Sequence, residues 1–179
     1  MPFVDWIGPF LQRPFPEEFP EGSVEHEVLT ALRDGWDVTD TAELLKGLSE
    51  RYGHPAKVAV GRLVEVNVGR DWAALGAQEA GEGTELDDYV ERLWEPLRAV
   101  GFEFSSVGDA NERTFFVTQC PVRDAAAVTG TTSWMYLLSC ATDAPSATSF
   151  SPHIRFSRTM TLMQGAPCCD HHYLRVPPA

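Results

Sequence analysis

The sequence predicts an α+β fold, with a helical N-terminal half packed on a small antiparallel sheet from the C-terminal half. Apolar residues recur at helical spacing through the first half and alternate like strands around turn signals in the second. With 179 residues, 44% of them hydrophobic, the chain can bury a sizeable core. We interpret residues 1–179 as one domain with a Pro- and aromatic-rich extended arm (1–20), a helical part (22–100) and a mixed part (101–176).

Four segments of the first half are predicted helices. "VEHEVLTAL" has apolar residues at helical spacing, and "DTAELLKGLSERYG" has Asp40 as a candidate N-cap and Gly53 as a stop signal. Residues 55–75 are rich in valine, which favours a strand, but the length of the segment and its ending "RDWAALG" favour a helix. "TELDDYVERLWEPLRAVG" carries one apolar stripe between a capping Thr84 and a terminating Gly101, so it is also predicted to be helical.

In the second half, the spacing of apolar residues changes from helical to strand-like alternation. "FEFSSV" and "RTFFVTQC" flank the turn signal "GDANE", which predicts a hairpin, and "PVRDAAAVTG" predicts a short helix. "TSWMYLLSCATDA" is interpreted as one apolar helix that places Cys140 and Asp143, three residues apart, on the same face. Residues 153–163 alternate like a strand, and "CCDHHYLRV" is expected to pair with them across a turn at Gly165.

Charge and composition narrow the function classes. The formal net charge of −12 repels phosphate backbones and anionic lipid, which argues against nucleic-acid and membrane-surface roles. The sequence has no run of ~20 apolar residues and no basic start followed by an apolar segment. We therefore expect a cytoplasmic protein whose four cysteines are free thiols and whose partner is a small-molecule substrate. The arm at 1–20 would suit a contact between two copies in a homodimer.

Arg158 is placed on the apolar face of the strand predicted at 153–163. A guanidinium that points at a core is costly unless an anion or a carbonyl group meets it. Asp143, Asp170 or the carboxylate of a bound ligand could supply that anion, and a purely structural ion pair is the plainest alternative.

The C-terminal run "CCDHHYLR" divides between two strand faces. Alternation places Cys169, His171 and Tyr173 on one face, with Cys168 and His172 on the other. Cys169 with His171 would make half of a metal site or a thiolate–imidazole pair. Two half-buried cysteines beside solvent-facing histidines are the alternative without chemistry.

Four pieces of the second half, "FFVTQCP", "CATDA", "SPHIRFSRTMTLMQG" and "CCDHHYLR", together resemble the L-2-amino-thiazoline-4-carboxylic acid hydrolase family. The family pattern has Thr-x-Cys-Pro, Cys-x-x-Asp, Arg-Thr-x-Thr and Gly-x-x-x-Cys-Asp-Phe in this order. The matching residues are Cys120–Pro121, Cys140 with Asp143, Arg158–Thr159 with Thr161, and Gly165 with Cys169–Asp170. The resemblance covers roughly residues 113–175, and it departs from the pattern where His171 stands in place of an aromatic residue.

The resemblance implies a hydrolase that acts on carbon–nitrogen bonds and opens a thiazoline-like ring, or another C=N heterocycle, that bears a carboxylate. Such chemistry needs a nucleophile, a proton donor and acceptor, and an anchor for the carboxylate. Arg158 suits the anchor, Asp143 or His171 the proton transfer, and Cys169 or Cys140 the nucleophile. The predicted catalytic residues are Cys169, Asp143, Cys140 and His171, and the predicted substrate-binding residues are Arg158, Asp170 and Thr159.

One other mechanism of hydrolysis and two functions without catalysis remain as alternatives. No cofactor is expected, but a divalent metal held by Cys, Asp and His would provide an activated water instead of a thiol nucleophile. The same cluster could also serve a ligand- or metal-binding domain without turnover. In a purely structural protein, the four cysteines would matter for stability alone.

Overall fold

The computed structural model describes Arg13, Phe15 and residues 19–36 and 41–177. Within these residues, the first half contains four helices, and the second half contains a four-stranded antiparallel sheet and three further short α-helices, so the predicted α+β class is confirmed. The predicted N-cap Asp40 and most of the arm at 1–20 lie outside the described residues. None of the helices in the described ranges has the length and apolar character needed to cross a membrane.

The helices of the first half form as their apolar spacing predicts. They are α1 (Val24–Asp34), α2 (Thr41–Tyr52), α3 (His54–Glu79) and α4 (Glu85–Ala99). The valine-rich segment 55–75 lies within α3, which confirms the helical interpretation. The buried residues of α3 recur at spacings of three and four along most of its length, so they lie on one face, which packs against α1 and α2 and against elements of the second half.

Thr84 stands directly before α4, but its hydroxyl does not cap the helix. It donates instead to Asp88 Oδ2 at 2.9 Å, and the same oxygen accepts from Gly81 N at 2.8 Å. The prediction of a capping Thr84 was therefore wrong in its chemistry, although the helix begins and ends close to where the sequence places it.

The sheet has the strand order β1-β2-β4-β3. Its strands are β1 (Glu103–Gly108), β2 (Glu112–Gln119), β3 (Ile154–Ser157) and β4 (Cys169–Arg175). The predicted hairpin is confirmed, with Asp109 Oδ1 accepting from the backbone of Asn111 and Glu112 in the turn. The strand β4 pairs with β3, as predicted, and also with β2, which places the C-terminal strand in the middle of the sheet.

The prediction of one helix over 132–144 was wrong. The helix α6 (Thr132–Leu138) ends before Ser139, a 3-10 turn covers Cys140–Thr142, and α7 (Asp143–Phe150) follows. Pro145 has no N–H to donate to the carbonyl of Ala141, and its ring would clash there, so a continuous helix is excluded and a new one begins. The short helix α5 (Pro121–Thr129) is confirmed.

Two apolar clusters make up the core. One lies among α1, α2, α3 and α6, and the other lies between α4, α7 and the inner face of the sheet. Trp72 on α3 contacts both clusters, with its ring 5.1 Å from Tyr89 and 6.0 Å from Phe150. The helical half and the sheet half are thus packed together through α3 and α7.

Gly76 marks the closest approach of these two helices. A Cβ at this position would lie 1.8 Å from the carbonyl oxygen of Phe150, the last residue of α7. No backbone neighbour can be that close, so the absence of a side chain at Gly76 sets the spacing between α3 and α7.

The strand predicted at 153–163 ends at Ser157, so the prediction was wrong beyond that point. After Ser157, the backbone bonds to the carboxylate of Asp170 instead of continuing the sheet. Oδ1 of Asp170 accepts from Thr159 N at 2.9 Å and from Met160 N at 2.6 Å, and Oδ2 accepts from Thr159 Oγ1 at 2.6 Å. A 3-10 turn at Leu162–Gln164 then leads to Gly165, whose φ of 88° allows the reversal toward β4. Asp170 therefore shapes the loop that follows Arg158.

Gly76→Ala should destabilise the protein by about 1–3 kcal/mol, because the added methyl group must push α7 away from α3. Gly47→Ala is the matched control, since Gly47 lies inside α2 with nothing within 4 Å of an added Cβ. That control should be neutral or stabilising by about 0.4–1 kcal/mol. Urea denaturation of both variants tests this, and an unchanged midpoint for Gly76→Ala would contradict the packing argument.

Asp170→Asn should destabilise the folded state by about 1–2 kcal/mol at neutral pH, because a partly exposed carboxylate loses charged hydrogen bonds to the loop. Although desolvation opposes it, the hydrogen bonds from Thr159 and Met160 lower the pKa of Asp170. A lowered pKa stabilises the fold above the unfolded pKa of ~3.9, and this stabilisation is lost as the pH falls through the folded value.

The difference in unfolding free energy between wild type and Asp170→Asn should therefore shrink as the pH is lowered from neutral into the acid range. Asp34→Asn serves as the control, because the Asp34 side chain is 68% exposed. A difference that stays constant over this range would show that the Asp170 carboxylate does not stabilise the loop.

Candidate functional site

A cavity of ≈ 330 Å³ lies between α4, the inner face of the sheet and the junction of α6 with α7. Its volume is at the small end of the range for small-molecule sites. Most of its wall is apolar, and the large apolar side chains include Trp72, Leu93, Trp94, Leu97, Phe102 and Leu138. Charged and sulfur-bearing side chains are concentrated where β4, the loop after β3 and the start of α7 meet.

Arg158 and Asp143 form a buried ion pair at this polar end. Their side chains are 8% and 17% exposed, and Arg158 Nη1 donates to Asp143 Oδ2. Arg158 Nη2 donates to the carbonyl oxygen of Cys140 at 3.2 Å and to Tyr136 Oη at 3.4 Å. Burial alone would lower the pKa of Arg158, but the Asp143 carboxylate outweighs it and raises that pKa. Of the anions that the sequence left open for Arg158, the one in contact is Asp143.

His171 completes the cluster from β4. Its Nε2 lies 3.2 Å from Asp143 Oδ2 and 3.4 Å from Arg158 Nη1, and its side chain is 10% exposed. The imidazole packs edge-on against Trp94, with ring centres 5.1 Å apart. Its Nδ1 is buried without a hydrogen-bond partner among the described residues. The predicted shared face of Cys169, His171 and Tyr173 is confirmed, as all three are buried.

Three of the four cysteines line the cavity: Cys120, Cys140 and Cys169. Burial raises the pKa of Cys140 to about 12, and the nearby Asp143 carboxylate adds to the shift. Burial also raises the pKa of Cys120, whose sulfur accepts from Arg123 N at the start of α5. Cys140 and Cys120 are therefore thiols rather than thiolates at neutral pH.

Cys169 is engaged with the turn at 161–163 rather than with a base. Its sulfur accepts from Leu162 N at 3.3 Å and lies 3.7 Å from Thr161 Oγ1, which is 3.9 Å from the sulfur of Cys140. His171 instead contacts Asp143 and Arg158, so the thiolate–imidazole pair considered for Cys169 and His171 is not formed.

Asp170 and Thr159, predicted to bind substrate, do not line this cavity. They bond to one another in the loop after β3, and Thr159 instead borders a second hollow of ≈ 290 Å³ on the other side of Arg158. Neither Cys168 nor His172 lines the cavity, and His172 bonds to Glu112 Oε1 and Ser157 Oγ.

Sequence patterns missed several residues of the site. Tyr136 contacts Arg158, Trp94 packs on His171, and Arg92 borders the cavity from α4. Trp94 could have been found, because it lies on α4 one helical turn beyond the predicted core residue Val90. A polar or charged residue such as Tyr136 or Arg92 gives no such periodic signal.

No group of three or more His, Cys, Asp or Glu side chains that could hold a metal ion is found in residues 19–36 and 41–177 or at Arg13 and Phe15. The acidic and imidazole groups of the cavity, Asp143 and His171, pair with one another and with Arg158 instead.

The family model described as L-2-amino-thiazoline-4-carboxylic acid hydrolase matches residues 39–173. This match extends the resemblance seen in the second half into the helical part. No curated protein matches the chain, and no solved structure matches it. Because the family match spans most of the sequence and includes every charged and sulfur-bearing residue of the cavity, the chain belongs to the L-2-amino-thiazoline-4-carboxylic acid hydrolase family.

Proposed function

We propose that this protein hydrolyses a small cyclic amidine, a 2-amino-thiazoline ring that bears a carboxylate, inside the ≈ 330 Å³ cavity. The observation that carries the proposal is the pairing of Asp143 with the buried His171 on the cavity wall, where Nδ1 of the imidazole has no partner in the described part of the chain. The family membership supports the reaction class, and the small apolar cavity suits a small ring.

The proposed reaction adds one water molecule to the ring. The water oxygen bonds to C2 of the ring, and the tetrahedral carbon then breaks its bond to the ring sulfur. The two hydrogens of water end on the ring nitrogen and on the sulfur, so the product is an N-carbamoyl thiol. The bond that is cleaved is therefore carbon–sulfur, while the C=N bond is hydrated.

His171 is proposed as the general base. If Nε2 carries the proton, it donates to Asp143 Oδ2 at 3.2 Å; the other tautomer would point a lone pair at a carboxylate oxygen. Asp143 therefore favours the tautomer in which Nδ1 is an unprotonated acceptor. That nitrogen takes the proton from the attacking water and returns it to the departing sulfur.

A thiol nucleophile is less well supported by the contacts. Cys140 has a pKa of about 12, which leaves only about one thiolate in 10⁵ molecules at pH 7. Cys169 contacts a backbone N–H and a threonine hydroxyl, neither of which can deprotonate it. We therefore assign both sulfurs to the cavity wall and the attack to water.

Arg158 is proposed as the counter-ion of Asp143 rather than as the substrate anchor expected from the sequence. Its guanidinium already donates to Asp143, to the Cys140 carbonyl and to Tyr136. A fixed positive charge beside Asp143 compensates for the burial of this carboxylate in an apolar setting, and the carboxylate in turn contacts His171.

His171→Phe and Asp143→Asn should each lower kcat for 2-amino-thiazoline-4-carboxylate by about 10²–10⁴-fold, because the base is lost or its tautomer is no longer fixed. Steady-state kinetics measure this, with circular dichroism to check folding. Cys169→Ser is the matched variant from the same strand face and should retain activity within about 10-fold of the wild type.

Mass spectrometry of the enzyme during turnover separates the two routes. With water as the nucleophile, the protein mass stays unchanged throughout. A covalent adduct on Cys169, together with a loss of activity in Cys169→Ser as large as that in His171→Phe, would replace the proposed mechanism with a thiol mechanism.

Arg158→Met should destabilise the fold by about 3–5 kcal/mol, because it leaves the Asp143 carboxylate buried without its counter-ion. The double variant Arg158→Met with Asp143→Leu should recover much of this loss, since it removes both charges. Thermal and urea unfolding measure both effects. If the single and double variants were equally unstable, the pair would not be coupled as proposed.

A further inference from the structure

Arg92 is the second cation of the cavity. Together with Arg158, it provides the positively charged side chains among the described residues that line the cavity. It lies on α4, next to the apolar wall residues Leu93 and Trp94. Its side chain is 55% exposed, whereas that of Arg158 is 8% exposed, so Arg92 lies on the solvent side of the cavity.

At the buried end of the cavity, Asp143 already neutralises Arg158, so no cation remains there for a substrate carboxylate. Arg158 and Asp143 neutralise each other, and a second carboxylate on Arg158 would leave a net negative charge in a desolvated site. The donors on both terminal nitrogens of Arg158 already have acceptors. A carboxylate bound there would therefore have to displace the contact that orients Asp143.

Arg92 makes fewer and longer polar contacts than Arg158. Its ion pair in the described part of the chain is with Glu79, at 3.8 Å between Nε and Oε2, which is beyond hydrogen-bond distance. Asp88, Glu91 and Glu95 border the neighbouring surface hollow, so Arg92 interrupts an acidic surface at this point. A protein with a net charge of −12 repels an anionic substrate over much of its surface, and a local guanidinium at the entrance offsets that repulsion.

We propose that Arg92 binds the carboxylate of the substrate at the entrance of the cavity and orients the ring inward, toward His171. This inference rests on the proposed function for its reaction but adds a binding residue that the sequence did not identify. A guanidinium can donate to both carboxylate oxygens in a bidentate pair, and the apolar wall next to Arg92 would contact the ring. Arg92 would thus select ring substrates that carry a negative charge.

The kinetic test compares Arg92→Gln with the wild type on 2-amino-thiazoline-4-carboxylate and on the corresponding carboxamide. For the carboxylate we expect KM to rise by about 10-fold or more with kcat within about 3-fold, because a charged pair outside the reacting bonds is lost. For the carboxamide, KM should change less than about 2-fold. Arg98→Gln is the control on the same helix, since Arg98 stacks over Phe104 and does not line the cavity.

A binding measurement keeps this inference separate from the proposed reaction. Thiazolidine-4-carboxylate has a saturated ring without the C=N bond, so its affinity can be measured by calorimetry whether or not the protein has hydrolase activity. Wild type and Arg98→Gln should bind it alike, and Arg92→Gln should bind it about 10-fold more weakly. Its carboxamide should not distinguish the three proteins.

The kinetic and binding results together separate a failure of the proposed reaction from a failure of the Arg92 site. If the wild type binds thiazolidine-4-carboxylate through Arg92 but hydrolyses no thiazoline, the proposed reaction fails and the binding site stands. If the wild type hydrolyses the thiazoline and Arg92→Gln keeps the wild-type KM and affinity, the Arg92 site is overturned. Absence of any binding of the carboxylate probe to the wild type also overturns it.

Discussion

The buried pair of Arg158 and Asp143 is the interaction on which the site depends. It joins the loop after β3 to the first residue of α7, two segments that have no continuous backbone pairing at this point. Removing these charges from water costs several kcal/mol, which is offset by the Cys140 carbonyl, by Tyr136 and by the position of Asp143 at a helix N-terminus. The same carboxylate contacts His171 Nε2, so the ion pair, the loop after β3 and the position of the imidazole are linked through one side chain.

The pair is held in place by packing that comes from both halves of the chain. The close approach of α7 to α3 at Gly76 fixes the far end of α7, and Trp72 fills the space between the two apolar clusters. The carboxylate of Asp170 holds the loop that follows Arg158 from the opposite side. The cavity is therefore bounded by elements whose positions are fixed independently of any ligand, which favours a preformed site.

Local patterns predicted the parts of the site that depend on local geometry. Alternation correctly placed Cys169 with His171 on one buried face, because side-chain direction in a strand follows from position alone. Arg158 is buried as predicted, although it lies one residue beyond the end of β3. The early end of β3 was missed, because it depends on hydrogen bonds that Thr159 and Met160 donate to Asp170, which is at least ten residues away in the sequence. The break before α7 was missed because the apolar spacing continues through residues 132–144, whereas the break depends on Pro145, which lies just beyond them and is compatible with the first turn of a new helix.

His171 is the position at which this chain departs from the sequence pattern of the family that it resembles. Its imidazole lies between Trp94 and Phe156, with ring centres 5.1 and 6.0 Å away, so it occupies a place that an aromatic ring would fill. The family pattern has an aromatic residue here, and such a ring would keep the packing but leave Asp143 without an imidazole to orient. In a chain of that kind, Asp143 itself would be the group nearest the cavity that could accept a proton. The Asp143 carboxylate, paired with Arg158, is thus common to both arrangements, and His171 adds an imidazole beside it.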